Sequence, residues 1–258
     1  MKLQTQVVVS KTPGKPISYQ SKVLMMGSCF VEHIGDKLDF YHFQVLQNPF
    51  GIIFHPEAFF LIIERALSNQ LFTIDDVFES DRGVWSSYYA HSNLNQLNPD
   101  ALLDVLNSKL SALKTSIQEG THMVFSYGTA WGYRLKSSHQ LVANCHKQPQ
   151  NRFQKTLQSV EDTKKIIEKT VQLIRNINPD IEMIFTVSPV RHTKDGIVEN
   201  SLSKAHLLTA VHSNNIEFKG LHYFPSYEIL IDQLRDYRFY EDDMIHPSNL
   251  AVNIIWNT

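Results

Sequence analysis

Residues 23–38, VLMMGSCFVEHIGDKL, decide the fold. Val23 to Met26 is an unbroken apolar run that reads as a strand. Gly27 then allows a tight turn, after which Val31, Ile34 and Leu38 recur at helical spacing. Strand, turn and helix in that order make the first half of a βαβ unit. The turn also carries Ser28 and Cys29 side by side, two potential nucleophiles where a catalytic site needs one.

Further along the chain the same alternation returns. Asn98-Pro99-Asp100 opens a helix that runs to Gln118, with Leu102, Leu103, Val105, Leu106, Leu110, Leu113 and Ile117 gathered towards one face. HMVFS at 122–126 reads as a short strand. Ser159-x-x-Asp162 resembles a capping box and begins a helix carrying Ile166, Ile167, Val171 and Ile174. IEMIFTV at 181–187 is a buried strand, 202–211 a further helix and 217–224 a weaker strand. Strands alternating with long helices predict an α/β fold, a three-layer α/β/α sandwich around a mostly parallel sheet. Residues 48–98, rich in aromatics, Asn and Ser, fit this period poorly and are expected to form an irregular insertion near the strand ends.

The chain of 258 residues shows no composition break and reads as one domain, 1–258. A formal net charge of −2 and the lack of a basic stripe argue against nucleic acid as a partner; Lys164-Lys165 is the notable basic run and suits a solvated helix face. The N-terminus lacks the apolar core of a signal peptide, and no stretch reaches about 18 apolar residues, so neither export nor a membrane span is expected. Two cysteines, Cys29 and Cys145, are too few for a disulfide framework; a cytoplasmic protein with both as thiols is expected. The chain ends at AVNIIWNT, inside a helical pattern, as a shortened or naturally short chain would. Oligomeric state is not readable from these features.

Working groups in such sheets collect at the carboxyl ends of the strands. Four segments fall there: GSCF (27–30), GTAW (128–131), SPVRH (188–192) and DMIHPS (243–248). Asp243 stands three residues before His246, close enough to hold one imidazole nitrogen while the other takes a proton from a nucleophile. Arg191 and His192 are candidates for an anionic substrate group. Trp85, with Tyr88, Tyr89 and His91, is a candidate for stacking on substrate. Cys145, His146, His192 and His246 lack the close spacing of a metal site, so neither metal nor cofactor is expected.

Taken together, GSCF-VEHIG, NPFGIIFHP, GTAW, VANCHKQP, SPVRH, YFPSYEI, LRDYRFY and DMIHPS resemble the GSCFA family, a bacterial group placed with the SGNH (GDSL-like) hydrolases. The resemblance covers roughly residues 21 to 257. It implies a flavodoxin-like sandwich, a nucleophile in the first motif, and Asp and His in the last. It also implies acyl-ester cleavage or transfer, often of O-acetyl groups on carbohydrate, so a small-molecule or carbohydrate acyl ester is the expected partner. Matching G-D-S-L to G-S-C-F puts Cys29 in the nucleophile slot and favours it, with Ser28 as the rival. A thiolate at a helix N-terminus would be favoured by the helix dipole. The usual oxyanion motif G-x-N-D is replaced by Gly128-Thr129-Ala130-Trp131, leaving Gly128 and Asn144 as candidate donors. That loss, with the aromatic segment, keeps open an alternative: a carbohydrate- or peptide-binding module without catalysis.

Overall fold

The computed structural model describes residues 5–9, 14–217 and 220–258. Strand β1 (Lys22–Gly27) runs into helix α1 (Cys29–Phe40) through the GSCF turn, and β2 (Gln44–Gln47) follows at once. Helix α2 (Pro56–Leu67), the short hairpin of β3 (Phe78–Glu79) and β4 (Trp85–Ser86), and helix α3 (Pro99–Glu119) come next. Strand β5 (His122–Tyr127) leads into β6 (Trp131–Leu135), β7 (Leu141–Val142) and β8 (Phe153–Leu157), a small antiparallel sheet in the order β7-β6-β8. Helix α4 (Val160–Arg175), β9 (Glu182–Val187), α5 (Ile197–Glu217) and β10 (Leu221–Tyr223) complete the alternation. The chain closes with a helical turn α6 (Ser226–Glu228), a π-helical turn at Ile229–Leu234, and α7 (Asn249–Trp256).

The main sheet has the order β2-β1-β5-β9-β10 and every pairing in it is parallel. Counting only these five strands, the order is 2-1-3-4-5, that of flavodoxin-like doubly wound sheets. In register, Met26 lies beside Phe125 and Phe125 beside Phe185, so one face presents a row of large apolar side chains. Helices α3, α2, α4 and α5 pack on that face in that order and join it in the main core. On the other face Val23 and Met25 pack against Val31 and Leu38 of α1. Phe30 meets α7 and the π-helical turn there. Helices therefore cover both faces, as the α/β/α expectation requires.

Helix α3 shows how pattern becomes packing. Asn98 accepts the Ala101 N–H at 2.8 Å and Pro99 takes the first turn, where no donor is missed. Leu102, Leu106, Leu110, Leu113 and Ile117 are then fully buried, at about 1.5–3 kcal/mol each for removal from water. Ser159 caps α4 in the same way, accepting from Asp162 N at 3.0 Å.

The stretch 48–98 departs from the irregular insertion expected of it. Twelve of its residues form α2, with Phe59, Ile62 and Ile63 wholly buried. Arg65 lies inside it too, paired with Asp76 at 2.5 Å and donating to the carbonyls of Gln70 and Leu71. The helix was hidden because it is buried on most sides, which erases the apolar/polar alternation by which a surface helix is recognised.

Candidate functional site

Gly27 ends β1 because nothing larger fits: a Cβ there would stand 2.6 Å from the Ser126 Cβ on β5. The turn it allows makes Ser28 the N-cap of α1, accepting the Phe30 N–H at 3.4 Å. Ser28 is only 3 % exposed, and its hydroxyl donates to Ser188 Oγ at 2.9 Å, just past the end of β9. Ser188 Oγ also accepts the Val190 N–H at 3.3 Å. The Ser28 hydroxyl is thus a structural tie between two strand ends. Cys29, the first residue of α1, is half-buried and borders a cavity of about 470 Å³.

All four predicted strand-end segments meet at this cavity. Cys29, Thr129, Trp131, Arg191, His192 and His246 contribute to its wall, together with Asn144 and Cys145 from the loop after β7. The carboxyl edge of a parallel sheet is where such convergence is expected.

Asp243 and His246 form the motif's expected pair. His246 Nδ1 donates to Asp243 Oδ2 at 2.6 Å, while Asp243 Oδ1 accepts the backbone N–H groups of Ile245 and His246 at 2.8 and 3.0 Å. Met244 adopts a left-handed φ of 58° to close this turn. Those N–H groups and the imidazole hold the Asp243 carboxyl down at about 2. With Nδ1 donating to a carboxylate, Nε2 is left as the proton acceptor of the neutral ring. Among the described residues no hydrogen bond joins His246 to Cys29, although both line the cavity.

The Cys29 thiol differs from expectation. Burial, then the Glu32 carboxylate one turn on and more weakly Asp243, push it up to about 11, although the N–H groups of Phe30 and Cys29 itself pull the other way. The helix end does favour the thiolate, but desolvation and neighbouring negative charge outweigh it. Burial alone lifts Cys145 to about 11 as well.

Two of the remaining candidates, Gly128 and Trp85, stand differently from their predicted roles, and Asn144 does not. The Gly128 N–H donates to Phe54 O at 2.8 Å, so it is not free to serve as an oxyanion donor; Gly128 is instead a close-packing residue, whose Cβ would lie 2.7 Å from that of Phe54. Asn144 lines the cavity, with its Oδ1 accepting the His146 N–H at 2.8 Å, which leaves the amide NH₂ as the end able to donate. Trp85 sits in the β3–β4 hairpin, bonded through its backbone to Gln96 and packed on the main core, away from the cavity wall. Tyr88 stacks on Phe78 at 4.3 Å and Tyr89 meets Phe72, so this aromatic segment packs on its own rings. The aromatic side chains of the cavity are Phe54, Trp131 and Tyr133.

Arg191 and His192 both border the cavity. His192 is held neutral, its imidazole pushed down to about 3 by burial and by Lys204 and His246. His146 points elsewhere, towards the carbonyls of Ser87 and Ala90 at 2.8 and 3.0 Å.

Lys204 of α5 is a residue that sequence reading missed. It is 1 % exposed, and its Nζ donates to Gly128 O and Ser188 O, each at 2.6 Å. Burial, with Arg191 nearby, brings the ammonium down to about 7. It clamps the ends of β5 and β9 where the cavity begins. Within SLSKAHLL nothing marks it apart from the other polar residues of the helix, and only the tertiary fold turns it inward.

No curated protein is similar enough to count as a relative. The model of the GSCFA family matches residues 22–258, taking in every element from β1 to α7, and the chain belongs to that family.

Proposed function

We propose that the protein is an SGNH-type acyl-ester hydrolase or acyltransferase in which Cys29 is the nucleophile, His246 its general base and Asp243 the group that orients the imidazole. The observation that carries this reading is the 2.6 Å Asp243–His246 pair on the same cavity as a half-buried thiol at a helix N-terminus. Ser28 is less suited, because its proton is already committed to Ser188.

In the proposed reaction His246 Nε2 takes the thiol proton as Sγ attacks the ester carbonyl. The oxyanion is stabilised by the Cys29 N–H at the start of α1 and by the Asn144 amide. Collapse breaks the carbonyl–oxygen bond, and the leaving alcohol receives the proton from His246. Water or a sugar hydroxyl, deprotonated by the same imidazole, then attacks the thioester and releases Sγ, which takes that proton back from His246. His246 must swing closer to the sulfur for the first step, as catalytic bonds that are long in free enzymes do in the loaded state. Arg191 suits an anionic part of a small-molecule or carbohydrate acyl ester. Two free cysteines fit a reducing compartment such as the cytoplasm.

One observation favours the second reading, a binding module without catalysis: among the described residues no hydrogen bond joins His246 to Cys29, and burial pushes the thiol up to about 11, which makes it a poor nucleophile until a proton acceptor reaches it. Incubation with a panel of activated acyl esters, read by intact mass, separates the two. Acyl transfer predicts an adduct that Ser28→Ala keeps and Cys29→Ala loses; an unmodified wild type under all esters would leave the binding module.

A further inference from the structure

Apolar residues from four separate segments line the cavity: Ile52 and Phe54 before α2, Val142 and Ala143 at β7, Val190 after β9, and Ile245 beside the candidate base. None of these six can make a polar contact through its side chain. A cavity of about 470 Å³ is in the range that encloses whole drug-sized ligands, far more than an acetyl group needs. An acetyl ester would leave most of this wall in water, which the hydrophobic effect disfavours.

We infer that the wall is a chain-binding site, and that the acyl group taken by Cys29 is an apolar chain longer than acetyl. The assignment to the acyl side rests on the activity proposed above, since the wall and the nucleophile share one cavity. Each methylene moved from water onto such a wall is worth roughly fourfold in affinity or rate. Ala143 lines the cavity, half-buried and packed beside the main core, with its backbone N–H held by Tyr88 O, so Ala143→Leu adds apolar bulk at this wall without removing that bond.

The test has two measurements on wild type and Ala143→Leu, with thermal melting to confirm folding. The first is the rate of Cys29 acylation by p-nitrophenyl acetate, butanoate, hexanoate and octanoate, read by intact mass. The expected result is a rate that climbs with chain length and an octanoate-to-acetate ratio that Ala143→Leu lowers tenfold or more. Greater reagent lipophilicity alone would leave that ratio the same in both proteins. The second is calorimetric binding of free acetate and octanoate, which needs no chemistry; octanoate should bind more than tenfold tighter, and Ala143→Leu should erase the difference. If no ester acylates the protein yet octanoate binds in this manner, the chain site stands and the proposed activity falls. Acylation that is fastest with acetate, or ratios that Ala143→Leu does not move, overturns the inference while leaving the activity intact. Failure of both measurements overturns both.

Discussion

Ser28 and Cys29 are neighbours with different surroundings. Both border the cavity, but the Ser28 hydroxyl is tied down, capping α1 and donating to Ser188, whereas among the described residues the Cys29 thiol has no such tie to another strand end. Ser28→Ala should therefore cost stability, about 1–3 kcal/mol in urea unfolding, because a cap is lost and a buried hydrogen bond to Ser188 is broken. The same variant should still form the acyl adduct. The thiol itself, pushed up to about 11, should alkylate slowly near neutral pH in the substrate-free protein, with a rate that climbs only above pH 9. A midpoint at or below 9, followed by mass spectrometry of the Cys29 peptide, would show that the carboxylates and burial do not govern it. The motif was readable in the sequence as a turn at a strand end, and both Ser28 and Cys29 line the cavity there. The protonation state was not, because Glu32 and the burial around Sγ act only once the turn is folded.

Among the elements, β1, α1, α3, α4 and β9 were legible because each is either apolar throughout or apolar along one face, with a cap or glycine marking its end. Strand β2 was not, since four residues, Gln44–Gln47, at the sheet edge carry too little pattern. The small sheet of β6, β7 and β8 escaped for the same reason, yet it supplies Trp131 and Tyr133 to the cavity. Helix α5 was legible as a helix but not as the bearer of the buried clamp. Lys204→Met should cost about 2–4 kcal/mol in denaturant unfolding, since it leaves the buried carbonyls of Gly128 and Ser188 without their donor. A loss under about 0.5 kcal/mol, the range of ordinary surface substitutions, would mean that the clamp contributes little.

For the molecule as a whole, the parallel order and the convergence of four segments at one edge follow from the alternation of strands and helices along the chain. The role of the 80–95 stretch did not follow, because aromatic density alone cannot distinguish rings that line a cavity from rings that pack on each other. The buried groups together set a pH profile. Burial holds the His55 imidazole down at about 4 and that of His192 at about 3, so each is neutral in the fold. The unfolded chain binds protons at these histidines from pH 6.5 downward and the folded chain does not, so stability is full above 6.5 and drains as pH falls towards 4 and 3. Cys29 acts in the other direction: the folded state keeps its proton to about 11 while the unfolded thiol loses it near 9.0, so stability falls as pH rises across that window. Urea midpoints should be lower at about pH 4.5 than at about pH 8, and His192→Gln should flatten the acid limb. A midpoint that is higher at the acid pH would contradict this.

The central claim is that Cys29, His246 and Asp243 act as one unit, and single-turnover acylation of Cys29 tests it most directly. With one activated ester and the wild type, His246→Ala, Asp243→Asn and the double variant side by side, each single change should slow acylation by about 10²–10⁴. The double variant should be hardly slower than the worse single one, because groups that work as a unit are not additive. Equal rates in all four proteins would mean that the thiol reacts without help from the pair, and the catalytic account would be wrong.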